Sequence, residues 1–118
     1  MTAQTDIAFR IAQIVRAVKA RTGLDQIDRA SREVLLFIGE AEASGEAPSS
    51  TSIVRGARVG TAPTTYARLK ELEQLGWIQA LDDPRDGRMR RLHLTAKARR
   101  AFAQMSSEIE KQHRSFAS

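Results

Sequence analysis

The chain has 118 residues, of which 42% are apolar and 28% charged, which suits one globular domain with a single modest core and excludes a disordered polyelectrolyte. It contains no cysteine, so disulfides, thiolate zinc sites and cysteine redox chemistry are excluded, and a reducing cytoplasm is the expected compartment. Its net charge of +5 favours a polyanionic partner, and no apolar run approaches the roughly 20 residues a membrane span needs. The opening Met1-Thr2-Ala3-Gln4-Thr5-Asp6 lacks the basic start and apolar block of a signal peptide.

Ile7, Ile11, Ile14, Val15 and Val18 recur at helical spacing and predict an amphipathic helix from about Thr5 to Arg21, with Gly23 as its stop. The apolar positions form a narrow, heptad-like seam, which suits both the domain's own core and a second chain. Asp28 can cap the next helix, with Ile27 ahead of it as a hydrophobic staple. That helix, to about Ala43, carries the most apolar run, Val34-Leu35-Leu36-Phe37-Ile38, and is expected to be the central helix, buried almost all round.

Ser49 to Val59 predicts a shorter helix, capped by Ser49, Ser50 or Thr51, and Gly60-Thr61-Ala62-Pro63 predicts a tight turn. A helix from about Ala62 to Leu75 follows, with Thr65 or Tyr66, Leu69, Leu72 and Leu75 facing inward and Gly76 closing it. The polar face of its first half displays Thr61, Thr64, Thr65, Arg68 and Lys70. Two short helices about a glycine-containing turn make a helix-turn-helix, whose second helix enters the major groove of a duplex. Hydroxyls and arginine there can donate to base edges and phosphates, and a threonine methyl can meet a thymine methyl.

Gly76 to Thr95 is the stretch with the strongest pattern. Trp77 to Leu81 and Arg91 to Leu94 predict two short strands, and Asp82-Asp83-Pro84-Arg85-Asp86-Gly87-Arg88 between them predicts a loop longer than a two-residue turn. Arg85, Arg88, Arg90 and Arg91 make this hairpin basic, suited to phosphates or a minor groove. Trp77 is expected at the hairpin base and His93 on its outer side. Thr95 caps a last helix whose Phe102, Met105, Ile109 and Phe116 form a second seam, interrupted by Gln112 and His113. A helix-turn-helix followed by a basic hairpin is a winged helix-turn-helix. The fold class expected is therefore mainly α with a small β-hairpin wing (α+β), with N- and C-terminal dimerisation helices.

Asp83-Pro84-Arg85-Asp86-Gly87-Arg88 matches the D-x-R-D-x-R wing pattern of the multiple-antibiotic-resistance-regulator (MarR) family, and Leu92-His93-Leu94-Thr95 matches its strand-to-helix exit. Leu72-Glu73-Gln74-Leu75-Gly76-Trp77-Ile78 looks like its recognition-helix exit. The chain resembles that family over its whole helical order, most specifically between Gly60 and Arg100. The resemblance implies a single domain over residues 1–118, with dimerisation helices at about 5–23 and 95–118 and a winged-helix core at about 28–94. It implies a homodimeric transcriptional repressor that binds double-stranded DNA at a pseudo-palindromic operator. Thr61, Thr64, Thr65 and Arg68 would sit in the major groove, and Arg85 in the minor groove, with Arg88, Arg90 and Arg91 beside it. Asp83 and Asp86 would shape the wing, Asp83 by pairing with Arg88. Ile7, Ile11, Ile14, Val18, Phe102, Met105, Ile109 and Phe116 would form the dimer interface. The chain is short for the family, which implies an abbreviated dimerisation region and a small effector pocket. Ala98 stands where glycine is common, and the missing cysteine excludes the peroxide-sensing branch. A small aromatic acid is the kind of effector the family binds, and no residue here establishes one.

An enzyme is not expected. His93 and His113 lie far apart without metal-ligand spacing or a nucleophile partner, and Gly56 and Gly60 lack the context of a phosphate loop, so neither metal nor cofactor is expected. The alternatives are a winged-helix module for protein–protein interaction and one for plasmid or phage replication or partition. Four arginines in and just after the wing favour DNA over protein.

Overall fold

The computed structural model describes residues 3–117, with side chains described from residue 6 to residue 114. In order it has α1 (Ala3–Thr22), a 3-10 turn (Leu24–Gln26), α2 (Arg29–Ala43), α3 (Ser50–Ala57), α4 (Ala62–Gln74), β1 (Ile78–Asp83), β2 (Asp86–Leu94) and α5 (Ala96–Ala117). The chain divides into two compact units, one of residues up to Ile27 together with those from Arg99 onward, the other Asp28–Ala98.

In the second unit the helix starts are set by side-chain caps. Asp28, Ser49 and Thr61 each accept the backbone N–H three residues on, from Ser31 (2.9 Å), Ser52 (3.2 Å) and Thr64 (3.3 Å). At the end of α4, Gly76 takes φ 82°, which lets Trp77 N–H reach Leu72 O at 2.9 Å and Gly76 N–H reach Glu73 O at 3.1 Å, a Schellman stop. α3 ends without glycine, on Arg58 at φ 50°. Val34, Leu35, Ile38, Ile53, Leu69, Leu72, Ile78, Leu92 and Leu94 are buried, each contributing about 1.5–3 kcal/mol of transfer free energy. Gly56 lets α3 close on α2, since a Cβ there would lie 2.5 Å from the Phe37 ring.

Two expectations for the core are corrected. α2 is not buried all round: Leu36 is 43% exposed, because five consecutive helical residues at 100° steps must visit every face. Leu75 is also outside, at 47% exposure, since the Schellman stop turns the chain away there. Thr65 rather than Tyr66 completes the inner seam of α4 with Leu69 and Leu72.

The wing also differs from the expected long loop. β1 and β2 pair antiparallel from Ile78↔Leu94 to Asp82↔Arg90, and then Asp83↔Asp86, leaving only Pro84 and Arg85 at the turn. The register change leaves Gly87, Arg88 and Met89 as a bulge on β2. Two aspartates shape the turn and the bulge by accepting the backbone N–H two residues on: Asp83 from Arg85 (2.8 Å) and Asp86 from Arg88 (3.1 Å). At the other end Thr95 Oγ1 donates to Gly76 O (2.6 Å) and caps α5 through Ala98 N–H (3.3 Å). Lys97 Nζ lies 4.2 Å over the buried Trp77 ring and donates to Leu75 O.

In the first unit Gly23, at φ 87°, turns the chain out of α1 into the 3-10 segment. Val18, Leu24, Ile27 and Ala101 are buried, while Ile7, Ile11, Ile14, Phe102, Met105 and Ile109 are half-buried and Phe9 is 61% exposed. Val18 therefore has no surface to offer a second chain, which corrects its place in the expected interface: it lies just ahead of the Gly23 turn, inside the protomer. The Phe116 side chain lies outside the described residues. Among the described residues no helix is long and apolar enough to cross a membrane.

Candidate nucleic-acid interface

α4 presents Thr61, Ala62, Pro63, Thr64, Tyr66, Ala67 and Lys70 to solvent. Thr61 both caps the helix and donates through Oγ1 to Thr64 Oγ1 at 2.9 Å, so this pair of hydroxyls is mutually oriented. Thr65 is not available to a base: it is fully buried, and its hydroxyl donates to Thr61 O at 2.9 Å. Neither is Arg68, whose Nη1 bonds Asp28 Oδ2 at 2.5 Å and lies 3.4 Å from Ser31 Oγ, with the side chain only 25% exposed. Tyr66 and Lys70, one turn apart, hold the exposed positions instead. Spacing carries part of this outcome, because Thr65, Leu69 and Leu72 fall on one helical face. The Asp28–Arg68 pair spans 40 residues and leaves no local signal.

The four wing arginines separate into two groups. Arg88 is 94% exposed and Arg85 76%; Arg88 Nε lies 3.4 Å from Asp86, and Arg85 lies 3.4 Å from Glu46 and 3.8 Å from Asp83. Arg90, 64% exposed, donates to Ala80 O at 3.0 Å and lies 3.6 Å from Asp82. Arg91 points the other way: it bonds Asp83 (3.0 Å), Glu46 (2.8 Å) and Ala47 O (3.1 Å), tying the wing to the segment ahead of α3. The Asp83–Arg88 pairing is replaced by Asp83–Arg91 and Asp86–Arg88, because the bulge carries Arg88 away from the buried Asp83. The Arg85 N–H and then the Arg91 guanidinium hold the Asp83 carboxyl below the ordinary carboxylate value. His93 does not stand free on the outer side of the hairpin; its Nδ1 lies 3.3 Å from Glu42 Oε2, while Glu42 Oε1 accepts Leu94 N–H.

Two adjoining grooves connect α4 with the wing. One, of about 390 Å³, is bordered by Ser50, Tyr66, Leu69, Lys70, Arg90 and Leu92, among others. The other, of about 440 Å³, is bordered by Ser49, Ser50, Thr51, Asp86, Arg88, Met89 and Arg90. Ser50 and Arg90 line both, so the exposed face of α4, the start of α3 and the basic wing share one surface. Among the described residues no three of His, Cys, Asp and Glu come together to hold a metal.

No family model matches the chain, and no curated protein does. Solved structures do. MepR of S. aureus bound to ethidium bromide superposes with a TM-score of 0.68 at 18% identity, over 98% of this chain and 82% of that one. The S. aureus MepR–DNA complex gives 0.65 at 18% identity, over 96% and 82%. The fold is the MarR-like winged helix. YusO from Bacillus subtilis shares it at a TM-score of 0.58 and 15% identity, over 97% of this chain and 75% of that one. MepR is a transcription regulator of the Staphylococcus aureus multidrug efflux pump MepA. In a MarR-like fold α3 and α4 are the helix-turn-helix, β1–β2 is the wing, and α1 and α5 are the terminal helices.

Proposed function

We propose that this chain is a cytoplasmic, homodimeric transcriptional regulator, a repressor, that binds duplex DNA sequence-specifically at a pseudo-palindromic operator. The observation that carries this is the shared surface on which α4 and the basic wing border the same two grooves through Ser50 and Arg90. MepR, which has the same fold, has been solved in complex with DNA. The contacts we assign are Thr61, Thr64, Tyr66 and Lys70 of α4 in the major groove, and Arg85, Arg88 and Arg90 on the wing. Arg68, Thr65, Arg91 and Asp83 support them from behind.

The second copy is assigned to α1 and α5. Ile7, Ile11 and Ile109, with Glu110, Gln112 and His113, line an apolar cavity of about 260 Å³, and these half-buried isoleucines are surface that a second copy would cover. MepR has been solved with ethidium bromide, and a small aromatic effector that releases DNA is the ligand class we assign to this chain.

The test is selection of bound fragments from random duplex DNA, then a salt titration on the best fragment. Two-fold symmetry predicts half-sites about 34–36 Å apart, one helical turn. Three wing cations per protomer (Arg85, Arg88, Arg90) predict a log–log salt slope of roughly −5 for the dimer. Sequence-independent binding would favour an architectural or partition role, and no binding at low salt would defeat the proposal.

A further inference from the structure

We infer that Asp28, at the N-cap of α2, is a positioning residue for sequence recognition: through Arg68 it fixes how α4 is presented to the duplex. The inference rests on the DNA-binding regulator proposed above. The two oxygens of Asp28 divide their work. Oδ1 accepts Ser31 N–H at 2.9 Å and caps α2, while Oδ2 accepts Arg68 Nη1 at 2.5 Å. Ser31, itself buried, brings Oγ to 3.4 Å from the same Nη1. Arg68 is thus held in the cleft between α2 and α4, its Nε buried there without a protein partner.

The apolar part of the same contact does not fix the helix alone. Leu69 and Leu72 bury area, and burial is non-directional, so close packing opposes rocking of the helix about that ridge without a directional bond from those two leucines. A charge-assisted hydrogen bond has a direction and stops the rocking. Side-chain tips of a helix lie about 5–6 Å from its axis, so a rotation of about 10° moves Tyr66 or Lys70 by about 1 Å. That is enough to spoil a base-edge hydrogen bond, whose useful distance range is about 0.5 Å.

The experiment compares wild type with Asp28→Asn, Arg68→Met, Arg68→Lys and the double variant Asp28→Asn/Arg68→Met. Asparagine keeps the cap and removes the charge; methionine keeps the length of the side chain in the cleft. For each, Kd is measured on the selected operator, on single-base-pair variants of it and on non-specific duplex, after thermal melts establish that the protein is folded. Asp28→Asn and Arg68→Met should each reduce discrimination at the half-site by about tenfold, with non-specific affinity and salt slope unchanged. The double variant should lose no more than either single one, and Arg68→Lys should retain most of the discrimination. Without DNA, the Asp28 carboxyl should titrate at about 2 by NMR in wild type and return toward 3.8 in Arg68→Met.

Unchanged discrimination in folded Asp28→Asn would overturn the inference. So would tighter binding by that variant, which would make Arg68 a reader released to the duplex, or a shallower salt slope in Arg68→Met, which would make it a phosphate contact. An Asp28 titration insensitive to Arg68→Met would overturn it independently of DNA. Wild type that binds no duplex would instead defeat the regulator proposal, and this inference with it.

Discussion

Arg91→Ala and Arg88→Ala should have opposite signatures, although the two arginines lie three residues apart in one basic strand. Arg91 is 18% exposed and bonds Glu46 at 2.8 Å and the Ala47 carbonyl at 3.1 Å, besides its pairing within the wing. Hydrogen bonds to charged groups contribute about 1.5–3 kcal/mol each, they are not additive, and removal strands acceptors in a half-buried site, so Arg91→Ala should cost about 2–4 kcal/mol. For a unit of this size that lowers Tm by on the order of 10 °C. Arg88 is 94% exposed and meets only Asp86, so its removal should leave Tm unchanged and act on DNA binding alone. The assay is urea and thermal unfolding followed by the fluorescence of Trp77, the chain's one tryptophan, which is 3% exposed at the start of the wing. Salt titrations on duplex DNA run beside it. Arg88→Ala should make the salt slope shallower by about 2 per dimer, and Arg91→Ala, assayed where it is folded, should leave the slope unchanged. Equal melting of Arg91→Ala and wild type, or a loss of stability in Arg88→Ala as large as that of Arg91→Ala, would refute the division of the wing arginines.

Arg85→Ala should weaken binding and reduce the preference for a narrow minor groove at the operator flank; unchanged affinity on A-tract and mixed flanks would remove the wing tip from the mechanism. Asp28 titrates at about 2 in the folded protein, chiefly because of the Arg68 hydrogen bond and then the Ser31 N–H, and Asp83 is shifted in the same direction. Both carboxylates are therefore ionised in the folded state where the unfolded chain already takes up protons. The stability they provide is complete above the ordinary value of 3.8 and is lost as pH falls toward 2, so the urea midpoint should fall below about pH 4 and less steeply in Arg68→Met. Charges placed together at Ile11 and Ile109, as Ile11→Glu with Ile109→Glu, should yield monomers in sedimentation; a persistent dimer would put the interface elsewhere.

Features fixed by neighbours in sequence were legible in the chain. Asp28, Ser49 (one of three candidates) and Thr95 act as caps within three residues, and Gly23 and Gly76 supply left-handed turns where apolar periodicity stops, whereas the Thr61 cap lies hidden in what reads as a turn. The order of helices and the site of the hairpin follow from these. The arginines were harder, because their roles depend on register. Strand alternation separates Arg90 from Arg91, but Arg88 can be placed only once Asp83 is known to pair with Asp86 across a bulge. Arg68 reads as a groove residue because its partner lies 40 residues upstream, with a second role beyond the cap that sequence supports. Leu36 and Leu75 were misplaced for a related reason, since apolar character shows what burial would favour and only the helix phase shows which side chains reach the core.

These placements alter what the basic charge implies about recognition. With Arg68 anchored to Asp28 and Thr65 buried, α4 offers Lys70 as the cation of its exposed face, and Thr61 and Thr64 already share a hydrogen bond. Arg85, Arg88 and Arg90 put accessible positive charge on the wing, where the proposed contacts are with phosphates and the minor groove. On the proposed function, a site so divided would draw its affinity from counterion release and part of its selectivity from groove width, since Arg68, the arginine of α4, is held by Asp28. Operators should accordingly tolerate substitutions under α4 better than disruption of A·T-rich flanks under the wing. The reverse ranking would put most of the selectivity on Thr61, Thr64, Tyr66 and Lys70 of α4 and not on groove width under the wing.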